Sequence, residues 1–146
     1  MDESSKGLEQ RVWQRVLSRQ EAPRGDLRAL ELEALEAAAV YRHLLGSFQG
    51  KQQALIRQLY EGQQRAAACL RGLMRLSVSG LGKPVRLSPS GESAGKALEK
   101  RYHSARHAME AYMAWSVDGE FGTVFQRLAE ERREECVLLA QILGGL

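Results

Sequence analysis

The sequence predicts an all-α fold, a single antiparallel four-helix bundle, on three observations. Apolar side chains recur three and four residues apart along four long stretches, which is the spacing of one helix face. Glycine, serine and proline are concentrated between these stretches. Of the 146 residues, 44% are hydrophobic and 27% are charged, which is typical of a globular helical domain. A chain of this length can bury a core without crosslinks.

The pattern divides the chain into an N-terminal arm, residues 1–25, and a four-helix domain, residues 26–146. Within the arm, residues 12–19 predict a short docking helix whose apolar side carries Trp13. A Pro-Arg-Gly-Asp run then interrupts the helical pattern. We expect its last residue, Asp26, to cap the first long helix, because aspartate is favoured at that position.

The first two long helices are predicted over residues 27–48 and 52–76. Only a short turn at Gly50 and Lys51 separates them. A turn of this length makes consecutive helices antiparallel neighbours in a bundle.

Residues 77–94 are rich in Gly, Ser and Pro and show no helical spacing. A structureless stretch of this length is unusual inside a compact domain. About 18 extended residues reach up to roughly 60 Å, whereas a helix of about 25 residues is roughly 37 Å long. We therefore expect this segment to cross the length of the bundle and to be its most mobile internal part. The third helix would then run parallel to the second.

The last two helices are predicted over residues 95–117 and 120–143. Asp118 and Gly119 form the tight turn between them, and Asp118 is expected to be the N-cap of the fourth helix. The sequence therefore predicts two helical pairs joined by one long connection.

Charge and composition exclude several classes of protein. The net charge of +3 comes from mixed charges along the helices, without a block of basic residues, so we expect no nucleic-acid partner. No apolar run approaches the roughly 18 residues of a membrane span. The charged N-terminal stretch does not resemble a secretory signal, so we expect a cytoplasmic protein. Cys69 and Cys136 lack a paired motif and are expected to be free thiols.

Two stretches resemble a known family. The first is EAAAVYRHLL (36–45), and the second is YMAWSVDGEFGTVFQRLAEERREEC (112–136). The second is similar to the segment that joins the last two helices of rubrerythrin-related, small bacterial ferritin-like proteins. In that family the turn reads Asp-Pro-Glu-Tyr-Gly and the helix continues to Glu-x-x-His-Cys. The resemblance implies a ferritin-like bundle with one long crossover between helices 2 and 3.

The resemblance also implies where a di-iron centre would lie. The family holds two iron ions with glutamates and Glu-x-x-His pairs from facing helices. Matching Tyr41, Leu70, Tyr102 and Cys136 to the family pattern identifies the ligand positions of this chain. They are Ala34, Gln63, Ala66, Ala105, Arg132 and Glu135. Only Glu135 is a carboxylate, and none of the six is a histidine. We therefore expect no complete metal site and no cofactor.

Arg132 and Glu135 lie one turn apart on an otherwise apolar face of the fourth helix. One interpretation is a surface ion pair on a slightly rotated helix. The other is a core polar cluster in place of the metal, in which Gln63, Tyr41 and Tyr102 supply hydrogen-bond partners. We favour the second, because charges that face a core are rare unless they are paired.

Three functional hypotheses follow. The first is a non-catalytic interaction or structural module without catalytic residues, with a homodimer as one option. Its contact would use the arm or Leu32, Leu35 and Val40 on the outer side of the first helix. The protein partner itself is not identified by the sequence.

The second hypothesis is a rubrerythrin-like, metal-dependent oxidoreductase that handles peroxide or oxygen with a reduced carboxylate site. That site would be formed by Glu31 or Glu33 with Glu110 and Glu131. The third is a small-molecule pocket in the layer of Ala34, Ala66 and Ala105, where small residues stand at ligand positions.

Overall fold

The computed structural model describes residues 22–76, 87, 91–117 and 121–146. These residues contain four long helices and no strand, which confirms the predicted all-α class. We number the helices in chain order as α1 (Ala22–Leu44), α2 (Gly50–Leu76), α3 (Ala94–Ser116) and α4 (Gly122–Gly144).

Helix α1 begins at Ala22, earlier than the predicted start at Leu27. Pro23 is its second residue, and proline is accepted in a first turn because the N–H groups there have no intrahelical partner. The prediction that Asp26 caps this helix is therefore wrong, since Asp26 lies inside it. The arm with Trp13 lies outside the described residues.

The turn between α1 and α2 is longer than predicted. A 3₁₀ helix, Leu45–Ser47, follows α1, and α2 begins at Gly50. Gly50 has φ 63°, a left-handed conformation that glycine adopts without a Cβ penalty. The Gln53 side chain donates a hydrogen bond of 3.0 Å to the Leu45 carbonyl. This bond ties the first turn of α2 back to the 3₁₀ helix.

At the start of α3, Ser93 is the N-cap, and its hydroxyl accepts a hydrogen bond from a backbone N–H of the first turn.

The junction between α3 and α4 also differs from the prediction. Helix α4 has Phe121 at its N-cap position, so the prediction of Asp118 there is wrong; Asp118 itself lies outside the described residues. A Cβ atom at Gly122 would lie 2.9 Å from the Ser116 carbonyl oxygen, so the close approach of the two helices requires glycine.

Two clusters of buried apolar side chains show how the helices run. One cluster combines the start of α1, the ends of α2 and α3, and the start of α4. It includes Leu30, Leu73, Tyr112 and Phe125. The other combines the end of α1, the starts of α2 and α3, and the end of α4. It includes Leu44, Ile56, Leu98 and Ile142. Helices α1 and α4 therefore run in one direction, and α2 and α3 run in the other.

The closest packing is between α1 and α2 and between α3 and α4. Helix α2 also contacts α4, and α1 also contacts α3. Each of these pairs is antiparallel. Polar side chains from all four helices meet between the two apolar clusters, at the middle of the bundle.

The outer side of α1 is less available for a partner than the sequence suggested. Leu32, Leu35 and Val40 are half-buried, and Leu35 and Val40 pack against the apolar clusters. Large apolar side chains are exposed elsewhere, at Leu76, Met113, Val117, Val137 and Leu146. Among the described helices, none combines the length and apolar character that a membrane span requires.

Candidate functional site: a buried ion-pair network

The helical period of α4 turns Arg132 and Glu135 toward the core. Buried residues occur along this helix at alternating spacings of three and four. This series consists of Phe125, Leu128, Arg132, Glu135, Leu139 and Ile142, and Ala129 beside it is also buried. Arg132 is only 1% exposed and Glu135 is 2% exposed. The two charges are therefore a buried pair and not a surface ion pair.

Glu135 accepts hydrogen bonds from three helices. Arg132 Nη1 donates to Glu135 Oε1 at 3.0 Å, and Gln63 Nε2 of α2 donates to the same oxygen at 3.1 Å. The hydroxyl of Tyr41, from α1, donates to Glu135 Oε2. Both carboxylate oxygens are thus paired, as a buried charge requires.

Arg132 joins Glu135 to a second carboxylate, Glu33 of α1. Arg132 Nη1 donates to Glu33 Oε1 at 3.2 Å, and Arg132 Nη2 donates to Glu33 Oε2, so the contact is bidentate. Arg101 Nη2 of α3 donates to Glu33 Oε1 at 2.9 Å. The Tyr112 ring lies 5.9 Å from the Arg132 guanidinium carbon and covers one side of it.

We call this set of residues the central network. It consists of Glu33, Tyr41, Gln63, Arg101, Arg132 and Glu135. Its two guanidinium groups and two carboxylates balance in charge. Every helix contributes at least one member, so the network forms only when all four helices are packed together.

Four of the five residues proposed for a core polar cluster meet in the central network: Tyr41, Gln63, Arg132 and Glu135. The fifth, Tyr102, does not. Its side chain is half-buried, and its ring packs edge-on against His103 with centroids 5.6 Å apart. Among the described residues, no hydrogen bond joins the Tyr102 hydroxyl to the network.

The sequence did not predict Arg101 in the core, and it predicted Glu33 only as a member of the alternative carboxylate site. Arg101 is 4% exposed and follows Leu98 by three residues and precedes Ala105 by four. That spacing was the available signal for an inward arginine. Assigning Tyr102 to the stripe rotated the predicted face by one residue and moved Arg101 outward.

The network raises the pKa values of Glu135, Arg132 and Tyr41, for different physical reasons. Burial raises the pKa of Glu135, although the Arg132 guanidinium and the Tyr41 hydrogen bond act to lower it. Burial acts to lower the pKa of Arg132, but the carboxylates of Glu135 and Glu33 outweigh it and raise this pKa above its ordinary value. Burial also raises the pKa of Tyr41 well above its ordinary value. Arg132 is therefore a permanent cation, whereas Glu135 can lose its charge by binding a proton.

This difference predicts a pH dependence of stability. The pKa of Glu135 is higher in the folded state than its ordinary value of 4.5, so the folded state binds this proton more tightly than the unfolded chain does. The resulting stability is fully present below pH 4.5 and is lost as the pH rises through the folded-state pKa. We expect the free energy of unfolding of the wild type, minus that of Glu135→Gln, to fall across this window. The measurement is a set of denaturant titrations between pH 4 and pH 8.

The control is Glu134→Gln, because Glu134 is the exposed neighbour of Glu135. The free energy of unfolding of Glu134→Gln should change with pH in the same way as that of the wild type. A constant difference between wild type and Glu135→Gln over the whole range would contradict the raised pKa.

The six positions matched to iron ligands are all buried. They are Ala34, Gln63, Ala66, Ala105, Arg132 and Glu135. Their side chains nevertheless do not fit a di-iron centre, because Arg132 occupies the middle and holds the nearby carboxylates of Glu33 and Glu135. All three histidines of the chain are exposed. Across the described ranges, no three His, Cys, Asp or Glu residues are placed to share a metal ion.

The carboxylates of the alternative oxidoreductase site are not brought together. Glu110 and Glu131 are exposed, and Glu131 lies 3.9 Å from Arg127. Glu31 is buried but pairs with Arg28. Glu33 is ion-paired with Arg101 and Arg132 in the central network.

Among the described residues, the remaining candidates form no hydrogen bond with the network. Cys69 and Cys136 are free and half-buried, and burial raises the pKa of the Cys136 thiol, which makes it a weak nucleophile at neutral pH. Ala34, Ala66 and Ala105 are buried. None of them lines the cleft of about 230 Å³ that lies between α2 and α4, which has Gln63 and Glu135 among its lining residues.

Comparisons with protein-family models, with curated proteins and with solved structures find no match to this chain. A functional assignment therefore rests on the sequence pattern and on the geometry of the central network.

Proposed function

We propose that this protein is a degenerate ferritin-like bundle, a non-catalytic interaction or structural module without a complete di-iron site. The observation that carries this proposal is the position of Arg132. Its guanidinium lies at the middle of the bundle, between Glu33 and Glu135, and is ion-paired with both.

The directions of the helices support the ferritin-like topology. Helices α2 and α3 are parallel, so the end of α2 and the start of α3 lie at opposite ends of the bundle. The 27 residues of α2 give a length of about 40 Å, and the connecting residues 77–93 can reach about 56 Å when extended. The connection is long enough to return along the whole bundle. One long crossover of this kind distinguishes ferritin-like bundles from simple up-and-down bundles.

The chemistry of the network supports a structural role. A metal ion in this position would neutralise carboxylates and join helices, and the Arg132 guanidinium does both through charge-assisted hydrogen bonds. A guanidinium has no open coordination position and stays protonated. It also repels an incoming dication. The network can therefore hold the helices in register, and it offers no group for peroxide or oxygen chemistry.

A module of this kind acts through its surface, and we propose a second copy of the chain as its partner. Leu76 and Val117 are exposed near the ends of the parallel helices α2 and α3, at the same end of the bundle. Met113 is exposed one turn before Val117. These side chains supply apolar area for a homodimer contact.

The proposal predicts that protein expressed in iron-supplemented medium contains much less than one core metal ion per chain. The reason is the arginine at the ligand position and the absence of a buried histidine. Elemental analysis for iron, manganese and zinc measures the content, with a chelator-treated sample beside it. About two metal ions per chain, or the absorption band of an oxo-bridged iron pair, would contradict the proposal.

Metal bound at the surface has its own control. His103 and His107 are exposed and lie one turn apart, a spacing that can bind zinc. In the double variant His103→Ala, His107→Ala, metal from this surface disappears, whereas metal in the core would persist.

A further inference from the structure

The cleft between α2 and α4 opens beside the central network and carries features that the network does not use. Gln63 and Glu135 line it, although Gln63 is only 4% exposed and Glu135 only 2%. Gly62 and Arg65 of α2 and Glu131 and Glu134 of α4 also line it. The cleft therefore connects buried polar groups to a charged surface.

Gln63 leaves a buried acceptor without a partner. Its Nε2 donates to Glu135, and this fixes the orientation of the amide, because the carbonyl oxygen would repel the carboxylate. Gln63 Oε1 is buried and has no hydrogen-bond partner among the described residues. An unpaired buried acceptor costs free energy in the folded state. A ligand that enters the cleft and donates a hydrogen bond to this atom would remove that cost.

The charges around the cleft favour a cationic ligand. Glu131 and Glu134 are exposed carboxylates on the α4 side, and Arg65 is the basic residue of the lining. Arg132 neutralises Glu135, and Arg127 lies 3.9 Å from Glu131 at the rim. Among the described residues, Glu134 has no ion-pair partner, so it supplies the unpaired negative charge of the cleft. The whole chain has a net charge of +3, which would repel a cation. Binding of a cation would therefore depend on the carboxylates at the cleft and not on the charge of the whole chain.

Gly62 lines the α2 side of the cleft without a side chain. It lies inside a helix, where glycine is less favourable than alanine by about 1 kcal/mol. A Cβ atom at this position would lie 3.8 Å from Arg65 Nη2, which is an ordinary contact. Packing within the bundle thus permits a side chain here, and a long one would extend into the cleft.

We infer that this cleft binds a small organic cation with several N–H donors, of the alkyl-diammonium class. One ammonium group donates to Gln63 Oε1 at the buried end, and the other lies between Glu131 and Glu134. The volume of about 230 Å³ suits a ligand of this size and is smaller than the 300–1,000 Å³ typical of sites for larger molecules. The inference goes beyond the proposed structural role, because it assigns a ligand class to a cleft that the structural role does not require.

The test is a titration of the full chain with 1,4-diaminobutane at constant ionic strength, followed by calorimetry and by backbone amide chemical shifts. The neutral molecule 1,4-butanediol has the same chain length and serves as the ligand control. We expect saturable binding of the diamine, shifts concentrated at Gly62, Gln63 and Glu134, and no binding of the diol.

Two variants place the binding in the cleft. Glu131→Gln with Glu134→Gln should weaken binding at least about tenfold, because both exposed charges are lost. Glu110→Gln with Glu130→Gln changes the net charge equally on exposed residues that do not line the cleft, and it should leave binding unchanged.

Gly62→Met should abolish binding by filling the cleft, while its helix propensity keeps the fold. Gly72→Met makes the same change elsewhere on α2, where a Cβ atom meets nothing within 4 Å, and it should bind as the wild type does. The inference is overturned if the diamine shows no saturable binding or if the diol binds equally well. Unchanged binding in the Glu131, Glu134 variant or in Gly62→Met would also overturn it.

Discussion

Replacing Glu135 with alanine is expected to lower the free energy of unfolding by about 3–5 kcal/mol, the range for breaking a buried ion pair from one side. The substitution leaves three donors of the folded state without their acceptor. These are Arg132 Nη1, Gln63 Nε2 and the Tyr41 hydroxyl. It also leaves a cavity where a side chain that is 2% exposed had been. Denaturant titration at pH 7 measures the loss.

Glu134→Ala is the matched control, because the same residue type is removed from the exposed face of the same helical turn. Its effect should stay within about 0.5 kcal/mol. A loss well under about 1 kcal/mol for Glu135→Ala would place Glu135 at the surface and would contradict the central network.

A rescue experiment distinguishes the cost of leaving buried polar groups without hydrogen-bond partners from the cost of the cavity. Arg132→Met with Glu135→Leu removes both charges, and such replacements can be neutral or stabilising. The Tyr41 hydroxyl and the Gln63 amide would still be stranded, so this pair alone should recover only part of the loss. Adding Tyr41→Phe and Gln63→Met should recover most of the remainder. Glu33 keeps its ion pair with Arg101 in every one of these variants.

Replacing Arg132 with methionine is expected to cause a loss of similar size, about 3–5 kcal/mol at neutral pH. Arg132 is the one guanidinium that contacts both Glu33 and Glu135 in the described network. Without it, Glu33 retains Arg101, whereas Glu135 is a buried carboxylate that has lost its ion-pair partner. The folded-state pKa of Glu135 should then rise further, since the cation that lowered it is gone.

The loss in Arg132→Met should therefore depend on pH in a defined direction. It is fully present where Glu135 is ionised and shrinks as the pH falls through the folded-state pKa of Glu135. Arg133→Met is the control, because Arg133 is the exposed neighbour. If the loss of unfolding free energy in Arg132→Met stays constant from neutral to acidic pH, it does not come from an ionised Glu135 that has lost its ion-pair partner.

Most of the fold could be predicted because helical spacing is a strong signal over long segments. The four helices and their order follow from it, and the errors lie at the helix ends. The start of α1 was missed because Pro23 was taken as a boundary, although a first turn accepts proline. The cap of α4 was misplaced because the helix begins at Gly122, after the Asp-Gly turn predicted to start it.

The candidate site could be predicted only in part, for a geometric reason. Tyr41, Gln63, Arg132 and Glu135 lie on stripes whose register was clear from their apolar neighbours. Arg101 was missed because one residue on a helix is a rotation of about 100°, and the adjacent Tyr102 looked like the better core residue. Contacts between distant residues, such as Arg101 with Glu33, depend on how helices pack and not on the spacing within one helix.

The network also gives a physical reason for this arrangement of helices. Moving α1, α3 or α4 by one turn would separate a buried charge from its ion-pair partner, which costs several kcal/mol. Moving α2 would break the hydrogen bond from Gln63 to Glu135. An apolar layer would tolerate such a shift more easily. Tyr41, Gln63, Arg101 and the Arg132–Glu135 pair each come from a different helix, so together they favour one packing of α1 to α4 over alternatives.

The most direct measurement of the central claim is a crystal structure of protein grown with excess iron, with anomalous diffraction data collected at the iron absorption edge. We predict no anomalous peak among the four helices, and density for the Arg132 guanidinium between Glu33 and Glu135. Two anomalous peaks about 3.5–4 Å apart in the middle of the bundle, with Arg132 turned away, would contradict it.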